Sequence, residues 1–199
     1  MEKKSNINLE GITMKKGDIY NGFLVLDVQE IPFLKATGIW CRHEKTKMEV
    51  FHLLNDDSEN LFAYGFKTLP TDSKGAAHIL EHSVLCGSKN YPLKDPFIRL
   101  SNQSVKTYLN ALTFPDKTVY PGSSQVEKDY FNLMSVYGDA VFFPELKPEI
   151  FMQEAHHLEV DEKGEFSMQG VVFNITWVYN QLSRIFGRIN SALETLAVD

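Results

Sequence analysis

Residues 78–82 read His-Ile-Leu-Glu-His, and this short run restricts what can be built around it more than any other part of the chain. An α-helix advances about 1.5 Å and turns about 100° per residue, so a helix sets His78 and His82 one turn apart on a common face. There the two imidazoles can converge on a single ion. Zinc suits such a pair, because it takes nitrogen ligands in tetrahedral geometry and keeps an open position in catalytic sites. Glu81 lies too near His82 to serve easily as a third ligand. Its carboxylate can instead reach a water at the metal, whose pKa zinc lowers to about 7, and take the proton. A water so activated can attack a carbonyl carbon. The same letters also suit an ordinary helix with two surface histidines and a solvated glutamate. With this histidine and glutamate content, roughly 0.01 chance matches to H-x-x-E-H, the inverted order of H-E-x-x-H, are expected.

The flanking sequence supplies a body for that helix. Residues 22–31 (GFLVLDVQEI), 36–44 (ATGIWCRHE), 48–54 (MEVFHLL) and 61–66 (LFAYGF) are strand-like and bounded by polar residues. Residues 55–60 (NDDSEN) form a turn, since Asn and Asp tolerate tight backbone geometry. Residues 68–75 (TLPTDSKG) break the pattern and open the helix, with Asp72 or Ser73 as N-cap. Ala76, Ala77, Ile79, Leu80 and Val84 give it apolar surface to bury on a sheet. Beyond a loop at 87–96, residues 106–114 and 117–123 read as two strands joined through Pro115-Asp116. Ser124 to Glu127 matches a capping box, after which Val126, Tyr130, Leu133, Met134, Tyr137 and Val141 recur at helical spacing. A further helix starts at Pro148 and runs to about His157, and residues 161–166 (DEKGEF) make a hairpin-like turn. Apolar residues at 175, 178, 182, 185, 189, 192 and 196 form a helical stripe that packs on the chain's own body or docks a partner. The expected fold class is α+β, a mixed or antiparallel sheet with helices packed on it. Residues 1–18 read as a loosely ordered segment and 19–199 as one module.

Composition removes several function classes. With 43% hydrophobic and 12% aromatic residues the chain can bury a core and is not a disordered segment. A net charge of -6 disfavours nucleic acid, which calls for a basic face. The longest uncharged run, residues 166–183, carries Gln169, Asn174, Thr176 and Asn180, whose polar side chains are costly in lipid, so no membrane span is expected. The N-terminus lacks the apolar core of a signal peptide. Cys41 and Cys86 imply no disulfide framework. A cytoplasmic, reducing setting follows as the expectation.

The stretch FKTLPTDSKGAAHILEHSVLCGSKNYPLKDPF closely resembles the inverzincin metallopeptidases of the pitrilysin and insulinase superfamily, in particular the presequence protease branch. The likeness continues through YLNALTFPDKTVYPGSS, NLMSVYGDAVFFPEL, FMQEAHHLE and GVVFN, covering roughly residues 17–174. It implies a metalloenzyme module of the pitrilysin/insulinase type that hydrolyses short unfolded peptides. His78 and His82 would hold one Zn2+, and Glu81 would act as general base. Asn110 and Ala111 would lie on an edge strand that pairs with the substrate backbone, a mode that orients an extended peptide with little demand on its sequence. Without the likeness, Asn110 reads as a polar turn or strand-end residue.

Two departures qualify this. Family members follow GVV(Y/F)N with a glutamate that is the third zinc ligand; here the text is GVVFNITWV, and Ile175 cannot coordinate a metal. No other third protein ligand is identified. Glu154, Glu159 and Glu165 are the nearby acids, and of the adjacent His156 and His157 at most one could join. Family chains are also much longer, with a second half that helps hold the substrate. The chain therefore reads as a truncated N-terminal module, with a complementary half or partner chain expected. The alternative is a catalytically impaired peptide-binding or structural module, or a fragment without function.

Overall fold

The computed structural model describes residues 14–72, 75–94 and 96–175. The apolar stripe beyond residue 175 lies outside these, as do residues 1–13 of the N-terminal segment. Contacts divide the chain into two compact units, the first ending at Ser58 and the second starting at Glu59.

The first unit is an antiparallel meander of β1 (Ile19–Tyr20), β2 (Phe23–Ile31), β3 (Ala36–His43) and β4 (Glu49–Leu54), in that spatial order. Alternation in β2 and β3 turns Val25 and Ile39 inward, and both are buried. A bulge between Val25 and Asp27 shifts the β2–β3 register. A turn at 15–18 precedes β1, with the Asp18 carboxylate accepting from the Lys15 amide at 2.9 Å.

The second unit contains β5 (Asn60–Lys67), α1 (Ala76–Val84), α2 (Pro96–Gln103), β6 (Tyr108–Leu109), β7 (Leu112–Thr113), β8 (Lys117–Ser124), α3 (Glu127–Phe142), α4 (Pro148–Glu154), β9 (His157–Val160) and β10 (Phe166–Gln169). Strand β8 is central, with β5 on one side and β6 and β7 on the other, all antiparallel. Phe62, Tyr120, Val84 and Leu85 meet Leu133, Tyr137 and Ala140 of α3 in one buried cluster. Burying side chains of the size of Leu133 and Tyr137 stabilises the fold by about 1.5–3 kcal/mol each. Gly122 stands opposite Phe62, where a Cβ would come within 2.7 Å of the ring. The absence of a side chain there is what lets the aromatic lie across the sheet.

The α+β class with antiparallel sheets and packed helices is as expected from the sequence, and four local expectations are corrected. The strand expected over 106–114 is interrupted at Asn110 and Ala111, although β6 and β7 pair with β8 in one unbroken register. The cause lies on the opposite strand. The Asn110 amide donates to Pro121 O at 3.2 Å, but Pro121 has no N–H to return the bond. Helix α1 starts from Gly75 in the left-handed region (φ 72°) with no side-chain cap, rather than from Asp72; Ser73 is outside the described residues. The capping box does not form: Ser124 ends β8, its hydroxyl accepts from the Val126 amide at 3.2 Å, and α3 begins beyond Val126. Helix α4 stops at Glu154, and His157 opens β9 instead of closing the helix. The expected hairpin is present, its turn closed by the Asp161 carboxylate accepting from the amides of Lys163 and Glu165.

Candidate functional site

Helix α1 packs against α4 and β7. His78 and His82, four residues apart, place their ring centroids 5.0 Å from each other with planes at 64°. Both rings are partly buried. Burial, and secondarily the neighbouring His82, push the His78 pKa below the ordinary histidine value, with Glu81 opposing. A neutral His78 ring, the form that ligates metals, is thereby favoured.

Glu81 is only 6% exposed. The Thr113 hydroxyl on β7 donates to its Oε2, tying the helix to the strand beside it. Tyr120 and Tyr137 face the same region, and their phenols are held well above the ordinary tyrosine value, first by burial and then by the Glu81 charge. The site is thus a dry wall of neutral phenols behind one carboxylate. Next to it runs the Asn110–Ala111 segment. The Tyr137 hydroxyl donates to Asn110 O at 3.4 Å, supplying the partner that Pro121 withholds. The Asn110 side-chain oxygen accepts from the Ala111 amide at 2.9 Å. Residue alternation turns that amide away from β8, so Asn110 caps a donor on the outer side of the strand.

His82 Nδ1 lies 3.1 Å from Glu154 Oε2, which leaves the His82 Nε2 side for an ion. The donor set therefore fits zinc in part: two imidazoles one helical turn apart, with the buried Glu81 carboxylate on the same helix. A third ligand is lacking, since among the described residues no three His, Cys, Asp or Glu side chains are arranged to hold one ion. Ile175 is 47% exposed and has no donor atom to offer. His157 is committed elsewhere, Nδ1 to Met152 O at 2.9 Å and Nε2 to Glu159 at 3.0 Å; that pairing with Glu159 raises its pKa. Glu159 and Glu165 are exposed, and Glu154 serves His82. Of the two side chains that contact the motif, Thr113 carries no sequence signal and Glu154 reads only as a nearby acid. They meet α1 from positions 32 and 72 residues away.

An antiparallel sheet with helices on it and an H-x-x-E-H helix facing a strand defines the class of protein. Residues 65–186 match the insulinase family, peptidase family M16. The chain is 46% identical over 172 residues to presequence protease 1, chloroplastic/mitochondrial, of Arabidopsis thaliana, with 84% of this chain and 16% of that protein covered. It is 41% identical over 192 residues to the mitochondrial presequence protease of Mus musculus, covering 94% and 18% respectively. Protein HypA of Clostridium perfringens is 45% identical over 166 residues, covering 82% and 17%. A crystal structure of pitrilysin superposes with a TM-score of 0.56 at 23% identity, over 65% of this chain and 14% of that one. The chain belongs to the insulinase family of peptidases, in its presequence protease branch. It spans less than a fifth of the length of these relatives. Among the described residues no helix is long and apolar enough to cross a membrane.

Proposed function

We propose that this chain carries the metal-binding and proton-accepting part of a zinc-dependent endopeptidase that acts on short, unfolded peptides. The observation that supports this most directly is the convergence of His78 and His82 beside the buried, Thr113-anchored Glu81. His78 and His82 would hold the ion. When bound, zinc supplies a more acidic water and polarises the scissile carbonyl. Glu81 takes the proton of the attacking water and can return it to the leaving amine. Thr113 keeps one Glu81 oxygen occupied, so the other is the one turned to the proton. Asn110 and Ala111 offer backbone groups on the outer side of β6–β7 to an extended peptide; the Asn110 side chain swings off the Ala111 amide to admit it. Both units act as one catalytic-type module, with a complementary half or partner chain closing over the substrate.

A second reading is favoured by Ile175 and by the missing third ligand: a peptide-binding module with an impaired metal site. Zinc uptake by the full chain and cleavage of an unstructured peptide separate the two. The expected result is about one zinc per chain and slow, chelator-sensitive cleavage, lowered by about 10²–10⁴ in Glu81→Gln with zinc retained. Peptide binding indifferent to chelator, with neither zinc uptake nor cleavage, establishes the second reading instead.

A further inference from the structure

We propose that His157 is a proton-operated latch between the end of α4 and the β9–β10 hairpin, closed when its ring is an imidazolium and half released when the ring is neutral. The geometry of this corner carries the proposal, which is independent of any metal. His157 Nδ1 lies 2.9 Å from Met152 O, and Nε2 lies 3.0 Å from Glu159 Oε1. A backbone carbonyl and an ionised carboxylate accept hydrogen bonds and donate none. Each ring nitrogen must therefore bring its own hydrogen, and a histidine carries two only when protonated. The neutral ring can keep one of the two bonds, never both.

The two acceptors belong to different elements. Met152 lies in the last turn of α4, so its carbonyl is among the four that a helix cannot satisfy from within. Phe151 O, beside it, takes the Ala155 amide at 2.8 Å, and Met152 O takes the imidazole. A cation there also faces the negative end of the helix dipole. Glu159 stands two residues along β9, on the same side of the strand as His157. Across the hairpin His157 pairs with Gln169 and Glu159 with Ser167, neither of which is charged. On α4 the charged residues are Glu149, in the first turn, and Glu154, whose oxygens are engaged by Gln153 and His82. The hairpin's other charges, Asp161, Glu162, Lys163 and Glu165, sit at its turn, away from the latch. The bond to Glu159, then that to Met152 O, raise the ring's pKa above the ordinary histidine value, with burial opposing. A raised folded-state pKa means the latch contributes fully below the unfolded value of about 6.5 and is lost as pH rises through the folded one.

The test is a pH titration of the full chain, read by long-range proton–nitrogen correlation NMR at His157 and by hydrogen exchange of the β9 and β10 amides. In mild acid both ring nitrogens are expected to carry hydrogen, with a titration midpoint above about 6.5. In Glu159→Gln, which keeps an acceptor but removes the charge, the midpoint falls toward the ordinary value. Once the intrinsic pH dependence of exchange is removed, passing the midpoint should speed the β9 and β10 amides about two- to fivefold, the range set by one charge at a helix end. Amides of β2 and β3 should not respond. His157→Phe, which keeps a ring and removes both donors, should exchange at the faster rate on both sides of the midpoint. A wild-type midpoint at or below about 6.5 overturns the proposal, as does an unchanged midpoint in Glu159→Gln or a corrected exchange rate that stays level across the titration. A step in His157→Phe equal to that of wild type overturns it too, because another group would then be the one that titrates.

Discussion

Helix α1 and the segment 170–175 differ in how their side chains are backed. On α1 the chemistry is braced from outside: Thr113 holds Glu81, and Glu154 holds His82. The turn leaving the helix is clamped as well, with Glu145 N donating to Gly87 O at 2.9 Å and Lys89 N to Phe143 O at 3.0 Å. In the 170–175 segment Val172 is buried, while Ile175 ends the described chain half-exposed and without a polar atom. The contrast is between side chains held by partners on other elements and one that offers no polar atom to hold. Packing holds the frame, whereas ligation needs one particular side chain.

The largest expected effect comes from the point where the 170–175 segment meets the end of α4. A Cβ at Gly170 would run into the carbonyl oxygen of Ala155, the residue after Glu154. The neighbour is backbone and cannot rotate away. Gly170→Ala should therefore cost about 3 kcal/mol in urea unfolding. A neutral Gly170→Ala would break the comparison, because the segment would then not be seated on α4.

The clamp on the α1 side yields the next effect. Asp139 of α3 accepts from Ser88 Oγ at 2.6 Å, Asn90 N at 2.8 Å and Asn90 Nδ2 at 2.6 Å. Burial alone would raise its pKa, but the bonds from Ser88 and Asn90, helped by the Lys89 charge, bring it below the ordinary carboxylate value. A lowered folded-state pKa means the contribution is present above the unfolded value of about 3.9 and is lost as pH falls through the folded one. Asp139→Asn should cost about 2 kcal/mol at neutral pH and should flatten the acid limb of a stability-versus-pH curve. An unchanged acid limb would show that the loop after α1 is held by other contacts.

On the zinc reading proposed above, placing a donor at 175 tests the other side. Ile175→Glu is expected to tighten zinc by at least about tenfold, roughly 1.4 kcal/mol, read by chelator competition. No change would mean that the backbone at 175 no longer brings its side chain to the histidines, so the frame as well as the ligand has diverged.

What the sequence revealed follows from how local each cause is. Strands β2 to β5 and the hairpin were legible because alternation and turn chemistry act over a few residues. The placement of His78 and His82 one turn apart on a helix was legible because helical geometry fixes their spacing. Helix α2 was missed: residues 87–96 read as loop, and the signals of Pro96 at a first turn with Phe97 and Leu100 on one face went unused. The break at Asn110 was illegible because Pro121 across the sheet causes it. The capping box misled for a similar reason, since Ser124 is retained by β8 in its pairing with Asn60. Glu154 was visible as an acid near the site, but its role depends on a helix contact that no sequence window spans.

The smallest effect sharpens the comparison at the strand beside α1. Tyr137 is 1% exposed, and its hydroxyl makes a long bond, 3.4 Å, to Asn110 O. Removing it leaves that carbonyl with no partner from Pro121, yet the ring stays packed against Phe62 and Phe97. Tyr137→Phe should therefore lower global stability by no more than about 1 kcal/mol. The local consequence should be more telling. The Asn110 amide, bonded to Pro121 O, should exchange with solvent about fivefold faster, the equivalent of ~1 kcal/mol of local opening. Amides of β5, on the other side of β8, should keep their rates. Uniform acceleration across the sheet would show that the phenol supports the whole core, whereas acceleration confined to 110–113 identifies Tyr137 as the brace of the strand that faces Glu81.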